Sequence, residues 1–257
     1  MIREAAVAGY HEFRVFFTLR MWLGGWVVRL FFQVLFFALV GVYVAQAQRT
    51  SFILVGNALA VIALEGAVVA HAAAFERNQG TLAGLIVSPG NHVVSLFSRN
   101  LIRIPLGVAS STIVMVSVLG VMRIQFPWAR IPWIALILVV VSYSCYGYGW
   151  FFGALVYKFR KFQQASTNIA YLGVTVICGV NVPTSYWPVP VQKLAQILPL
   201  THGLLAVRGI VGQVPSVNIP LEILTEGVIG SCWLVVAGCL LHAFVEADRA
   251  NGRLELA

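Results

Sequence analysis

The sequence predicts an all-α polytopic membrane protein. It has six transmembrane helices, an N-terminal amphipathic interfacial helix, a short cytoplasmic helix after the second span, and re-entrant extracellular helices before the last span. Three observations carry this. Of 257 residues, 60% are hydrophobic and only 10% are charged, with a mean hydropathy of +0.87; a soluble domain carries about a quarter charged residues. The apolar residues fall in runs of roughly 20, the length that crosses ~30 Å of hydrocarbon. The basic residues gather at the ends of these runs, as membrane orientation requires, so the net charge of +8 does not argue for nucleic-acid binding.

Residues 1–28 interleave Phe13, Phe16, Phe17, Leu19 and Trp22 with Arg14 and Arg20. Such a helix lies in the headgroup plane with aromatics down and arginines up. Charge runs through this segment without a compact apolar core and cleavage site, so no cleavable signal peptide is expected. Spans follow at 29–47 and 52–74, then a polar interruption at 75–92, then spans at 104–122 and 133–156 separated by the proline-containing interface loop RIQFPWARIP. A fifth span covers 165–182, a proline-punctuated stretch covers 183–220, and the last span covers 221–245. The whole forms a single transmembrane domain over 1–257.

Orientation follows from Lys and Arg counts. With the N-terminus inside, twelve basic residues (Arg3, Arg14, Arg20, Arg29, Arg77, Arg99, Arg103, Lys158, Arg160, Lys161, Arg249 and Arg253) lie inside and five (Arg49, Arg123, Arg130, Lys193 and Arg208) outside. Both termini are therefore expected in the cytoplasm, together with the interruption at 75–92.

No phosphate loop, HExxH, GxSxG or Cys/His cluster occurs in the sequence, so no catalytic residue and no metal site is expected. The four cysteines (Cys145, Cys178, Cys232, Cys239) sit inside apolar runs as small hydrophobes. The five histidines are scattered along the chain.

The interruption reads FERNQGTLAGLIVSPGNH. Leu82, Leu85 and Ile86 fall at i, i+3 and i+4, one apolar stripe of a short helix with a polar start at Glu76, Arg77, Asn78 and Gln79. Ser88-Pro89-Gly90 stops it, because proline disfavours helix in the preceding residue and glycine permits a tight turn. A second helical run covers about 91–103. Taken alone, the segment is either a helix resting on the membrane surface or a docking element for a cytoplasmic partner.

Its residues resemble the cytoplasmic segment of type-2 ABC exporter permeases, the ABC-2 type family, in which an E-R-x-x-G-T-L-x-x-L-x-V-S-P pattern follows the second span. Glu76, Arg77, Gly80, Thr81, Leu82, Leu85, Val87, Ser88 and Pro89 match. A second resemblance lies in the proline-rich stretch before the last span, where Pro199, Leu200, Thr201 and Arg208 fit a P-L-T-x-x-x-x-x-x-R pattern. The resemblance implies that 1–28 is a connecting helix and 75–92 a coupling helix seated in a cleft of a separate ATPase subunit. Leu82, Leu85 and Ile86 would be its buried face, with Glu76 and Arg77 contacting the ATPase or bracing the loop. It further implies a homodimer with two ATPase chains, which carry the ATP and Mg, in a bacterial cell membrane.

Three further groups stand out. Pro183, Pro188, Pro190 and Trp187 preclude a continuous span, yet 191–211 is amphipathic and helical in pattern. Irregular backbone survives at membrane depth only when shielded by protein or facing water, so two short helices dipping into the outer leaflet are expected, and the resemblance makes them an outer lid. Glu65 lies mid-run, where an ionised carboxylate costs ~2.5–3.5 kcal/mol; it either belongs to a translocation path or orders helix packing. In SYSCYGYGWFFG, Tyr143, Tyr146 and Trp150 either line a path for an amphiphile or anchor and pack the fourth span.

The resulting expectation is a permease subunit, not an enzyme, that moves a drug, antibiotic or lipid-like amphiphile outward on a partner's ATP hydrolysis. Three alternatives stand beside it: export of a lipid-linked saccharide by the same mechanism, a lipid-modifying enzyme using Glu65 and His71, and a membrane scaffold without transport, in which the lid-like prolines would have no purpose. The second is disfavoured, because these two residues are more than ~100° apart around one helix.

Overall fold

The computed structural model describes residues 2–16, 18–44, 47–82, 84, 91–122 and 130–250. The main helices among the described residues are, in order, α1 (Ile2–Phe16), α2 (Leu19–Tyr43), α3 (Thr50–Glu76), α4 (His92–Arg99), α5 (Arg103–Met122), α6 (Ile131–Lys158), α7 (Gln163–Ile177), α8 (Val189–Ile197), α9 (Thr201–Val211) and α10 (Ile219–Ala250). Five helical stretches are long and apolar enough to cross a membrane, α4 running nearly straight into α5 as one of them; the number is six if the bent pair α8–α9 is counted as a span. The expected polytopic all-α architecture is therefore what forms.

The helix bounds differ from the sequence reading most at the N-terminus, while α7 ends at Ile177 instead of 182 and α10 runs to Ala250 instead of 245. Thr18 caps a new helix by accepting the Met21 amide, so α2 starts at Leu19 instead of 29, through a π-helical turn at Trp22–Val27. The interfacial helix is left with Ile2–Phe16. Arg29, which read as an end marker, is exposed and lies over the Trp26 ring at 5.3 Å, an arrangement that lets a cation sit within a helix near its end.

α3 is the axis of the bundle. Residues 54–67 are buried without interruption, which is why this helix is apolar all round instead of on one stripe. Ser111 Oγ donates to the Ala58 carbonyl at 2.7 Å, tying α5 to it. α3 and α6 touch backbone to backbone: a Cβ on Gly149 would lie 1.9 Å from the Gly66 carbonyl oxygen. The glycines of YGYGWFFG are what allow this approach.

The direction of each crossing can be read from side-chain pairs. Asn57 Nδ2 donates to Asn181 Oδ1 at 2.7 Å and His71 Nε2 meets Thr167 Oγ1 at 2.7 Å, so α7 runs antiparallel to α3. Tyr143 pairs with Ser231 and Lys158 with Asp248, at nearly constant sequence separations of 88 and 90 residues, so α6 and α10 run parallel. Parallel neighbours require the intervening chain to cross once and come back to the starting face for the next descent. α7 makes the crossing, although it has only 15 residues, and α8–α9 then turns through 91° and re-emerges where it entered. The bent pair is thus re-entrant.

Outward-facing Phe32, Phe36 and Leu39 on α2 and Leu221, Leu224, Val228 and Val235 on α10 are exposed, an apolar surface of the kind hydrocarbon covers. One end of the bundle carries Glu76, Arg99, Lys158, Asp248 and Arg249; the opposite end carries Phe52, Asn57, Ile131 and the α8–α9 pair.

The Gly66–Gly149 crossing yields a test. Gly149→Ala should lower the thermal stability of the detergent-solubilised protein, by ~1–3 kcal/mol for overpacking. Gly173→Ala, where a Cβ meets nothing within 4 Å, should leave it unchanged or raise it. Equal effects of the two substitutions contradict the close crossing.

Candidate functional site

The segment ERNQGT ends the helix that α3 leads into, which runs to Asn78, in a tight turn at Gln79–Gly80. The Gln79 amide donates to the Phe75 carbonyl at 3.0 Å, and Gly80 follows at φ +71°, a left-handed conformation that favours glycine. Thr81 Oγ1 then donates back to the Glu76 carbonyl at 3.1 Å and also to the Glu76 carboxylate. Glu76 is buried, and its other oxygen meets Arg99 Nε at 3.1 Å. The E-x-x-x-G-T spacing is therefore a self-closing loop: carboxylate, left-handed glycine and hydroxyl lock one another and bolt the turn to the end of α4. Leu82 is buried beside it, packed with Leu96, Tyr146 and Trp150. Leu85, Ile86, Ser88 and Pro89, and the side chain of Arg77, lie outside the described residues.

α4 is held on four sides. Asn91 caps it, accepting the amides of Val93 at 3.0 Å and Val94 at 3.2 Å, so the chain re-enters helix immediately after the PG pair. Arg99 ties it to α3 through Glu76. The Tyr146 hydroxyl donates to the Phe97 carbonyl at 2.5 Å, and the Trp150 ring packs 4.6 Å from the Phe97 ring, which joins α4 to α6. α1 crosses above it so closely that a Cβ on Gly9 would lie 1.8 Å from the Arg99 carbonyl oxygen. Val93 and Phe97 reach Gly238 on α10. Tyr146 and Trp150 are thus buried between helices, and Tyr143 is partly buried with its hydroxyl 3.1 Å from Ser231.

Glu65 is buried in the bundle and surrounded by donors from two neighbouring helices: Trp26 Nε1 at 2.6 Å, Ser110 Oγ at 3.2 Å and Arg103 Nη1 at 3.3 Å. A buried carboxylate with a cation and two neutral donors is satisfied where an unpaired one would be expelled. His71 instead faces Thr167 on α7, so Glu65 and His71 do not share a site.

At the opposite end, the proline-punctuated stretch makes two short helices because its prolines fall where they fit. Pro188 precedes α8 and Pro190 is in its first turn, positions that need no amide donor. The break between α8 and α9 is the costly part. Leu200 stands at φ +82° with its side chain fully buried, strain of order 1–3 kcal/mol. The backbone there is met from α10: Glu226 Oε1 accepts the Leu200 amide at 2.8 Å and Oε2 the Gly203 amide at 3.0 Å. A carboxylate at a helix N-terminus also opposes the helix dipole. Thr201 Oγ1 donates to the Ala195 carbonyl at 2.6 Å, and His202 bridges Glu222 at 2.6 Å and the Gln196 carbonyl at 3.1 Å. Trp233 Nε1 donates to the Ile197 carbonyl at 2.9 Å.

Arg208 performs the matching task for the end of α7. It is buried; Nη1 donates to the Gly179 carbonyl at 2.9 Å and Nη2 to the Val180 carbonyl at 3.0 Å, and its guanidinium lies 3.4 Å from the Phe52 ring centroid. The P-L-T-x-x-x-x-x-x-R residues therefore turn the chain between α8 and α9 and close carbonyls of Ala195, Gly179 and Val180. Pro183 and Trp187 lie at the approach to α8, Pro183 exposed and Trp187 partly buried. Glu226, the anchor from α10, was not singled out by the sequence reading, although EILTEG places a carboxylate inside an apolar run just as ALEGA does for Glu65.

In comparison with known proteins, the family model described as ABC-2 type transporter aligns with residues 14–211. No curated protein and no solved structure matches the chain significantly.

Glu226 offers a direct test of how α8–α9 is anchored to α10. Glu226→Ala leaves two buried amides unmet, each costing ~1–3 kcal/mol, and should expose 198–218 to limited proteolysis while lowering the melting temperature. Glu226→Gln, which keeps one acceptor, should fall between it and the parent. Protease resistance unchanged in the alanine variant contradicts the assignment.

Proposed function

The chain belongs to the ABC-2 type transporter family, and from that membership we propose that it is the permease of an ATP-driven exporter that moves a drug-like, antibiotic or lipid-like amphiphile outward. Permease domains of this family work with ABC ATPase partners. In this reading two copies of the chain pair in a bacterial cell membrane, both termini face the cytoplasm, and two ATPase subunits carry the ATP and Mg.

The observation that carries the reading is the opposition of the two ends. The Glu76–Thr81 turn and α4 lie at one end, and the α8–α9 pair lies at the other, fastened to α10 by Glu226. α6 and α10 run parallel between them and touch both: Tyr146 and Trp150 grip α4, and Trp233 and Glu226 grip α8–α9. A displacement of α4 delivered by the partner is passed on by two stiff helices instead of being absorbed by loops. Closure of the ATPase pair would shift the 75–92 segment, α4 would carry the shift to α6 and α10, and α8–α9 would swing from the mouth of the path. Interactions that differ between the two states must supply the drive, and the chain's contribution is transmission. Glu65, with its donors on α2 and α5, keeps the bundle rigid during this step.

Outward movement is part of this reading: with the basic end in the cytoplasm, the α8–α9 pair stands at the outer mouth, where cargo would leave.

The test uses this chain co-expressed with its partner ATPase and reconstituted in liposomes. The double substitution Leu85→Asp, Ile86→Asp should abolish amphiphile-stimulated ATP hydrolysis and ATP-dependent amphiphile movement, while insertion and thermal stability stay at the parent level. Stimulated hydrolysis at the parent level in this variant contradicts the coupling assignment. Stimulation by glycolipids but not by hydrophobic antibiotics reassigns the cargo to the lipid-linked saccharide class.

A further inference from the structure

One cluster at the Glu76 end is not used by the coupling or the lid. His92, the first residue of α4, packs its ring against that of His242 on α10, with centroids 5.5 Å apart and planes 16° from parallel. Glu246 lies one helical turn after His242, so both project from the same face of α10. One ligand atom from each of the three residues lies within 4.8 Å of the other two.

We propose that His92, His242 and Glu246 form a binding site for a divalent transition-metal ion of the zinc class, which would clasp α4 to the end of α10.

The chemistry of the donor set fits. Two imidazoles and one carboxylate are borderline ligands that suit Zn2+ and its neighbours and do not suit the hard ions Mg2+ or Ca2+. A tetrahedral ion with bonds of ~2.0–2.1 Å holds its donors ~3.4 Å apart, so the three atoms, now within 4.8 Å of one another, must draw together to bind it. An independent observation points the same way. His92 is only 4% exposed, and its Nε2 is buried without a hydrogen-bond partner among the described residues. A buried ring nitrogen left unmet is unfavourable, and a metal bond would satisfy the ring. Arg249 Nη1 donates to Glu246 Oε1 at 2.7 Å, an outer contact of the sort that orients a ligating carboxylate. His242 and Glu246 face solvent in part or fully, which gives the ion an entry route and leaves a fourth position for water.

The placement gives the site a consequence. Arg99 holds the last turn of α4 to Glu76; a metal at His92 would hold the first turn to α10. The site does not rest on the transport reading, and its test needs neither ATPase nor cargo.

The experiment is a Co2+ titration of the full chain in detergent, purified without a polyhistidine tag, followed by visible spectroscopy and metal analysis. The expected result is about one Co2+ per chain, with the intense d–d bands of a four-coordinate ion that Zn2+ displaces. His242→Ala alters an exposed side chain and so retains the fold; it should weaken binding by more than ~100-fold, above the ~10–100-fold that loss of an outer contact costs. Arg249→Gln should weaken it within that smaller range. Absence of the bands at stoichiometric Co2+, or equal affinity in the parent and His242→Ala, overturns the proposal.

Discussion

A chain that turns back inside hydrocarbon must meet every amide and carbonyl it exposes there, and the architecture depends on how Glu226 and Arg208 meet that requirement. The break before α9 exposes the amides of Leu200 and Gly203, and a carboxylate from α10 accepts both. The end of α7 exposes the carbonyls of Gly179 and Val180, and a guanidinium from α9 donates to both. Each charge is matched to backbone dipoles of the opposite sense, so neither needs a full counter-ion in a region where desolvation is costly. Without these two side chains the turn between α8 and α9 and the end of α7 would leave buried backbone groups unmet.

The same economy of polar groups governs the other end. Glu76 closes its own turn through Thr81 and reaches Arg99; Glu65 gathers Trp26, Ser110 and Arg103. In an apolar bundle such polar contacts fix register and orientation, because apolar side chains alone discriminate weakly between rotations of a helix. The consequence for function is mechanical. α4 packs against α1, α3, α6 and α10, so any displacement of it strains contacts with all four.

The sequence made much of this legible. Runs of membrane length gave the helices, the E-R-x-x-G-T spacing marked a turn whose glycine stands at φ +71°, and three prolines marked a stretch that could not span. Glu65 was visible as a carboxylate in an apolar run, while its partners were not, since Trp26 and Arg103 lie 39 and 38 residues away. Glu226 carried the same signal and passed unremarked because the run around it reads as an ordinary last span. The start of α2 was misjudged because Arg20 and Arg29 look like end markers, and a cation stacked on Trp26 does not. The meeting of His92 with His242 was beyond reach, for nothing in local pattern brings the two histidines together.

The central claim is that α8–α9 enters and leaves by one face, opposite the face of Glu76 and Lys158. Single cysteines at Lys193 in α8 and at Lys161 after α6, both exposed, test it in a background with the native cysteines replaced. A membrane-impermeant thiol reagent added to sealed, right-side-out vesicles should label position 193 and reach position 161 only after permeabilisation. Labelling of both positions from the same side would contradict the re-entrant pair and the six crossings that depend on it.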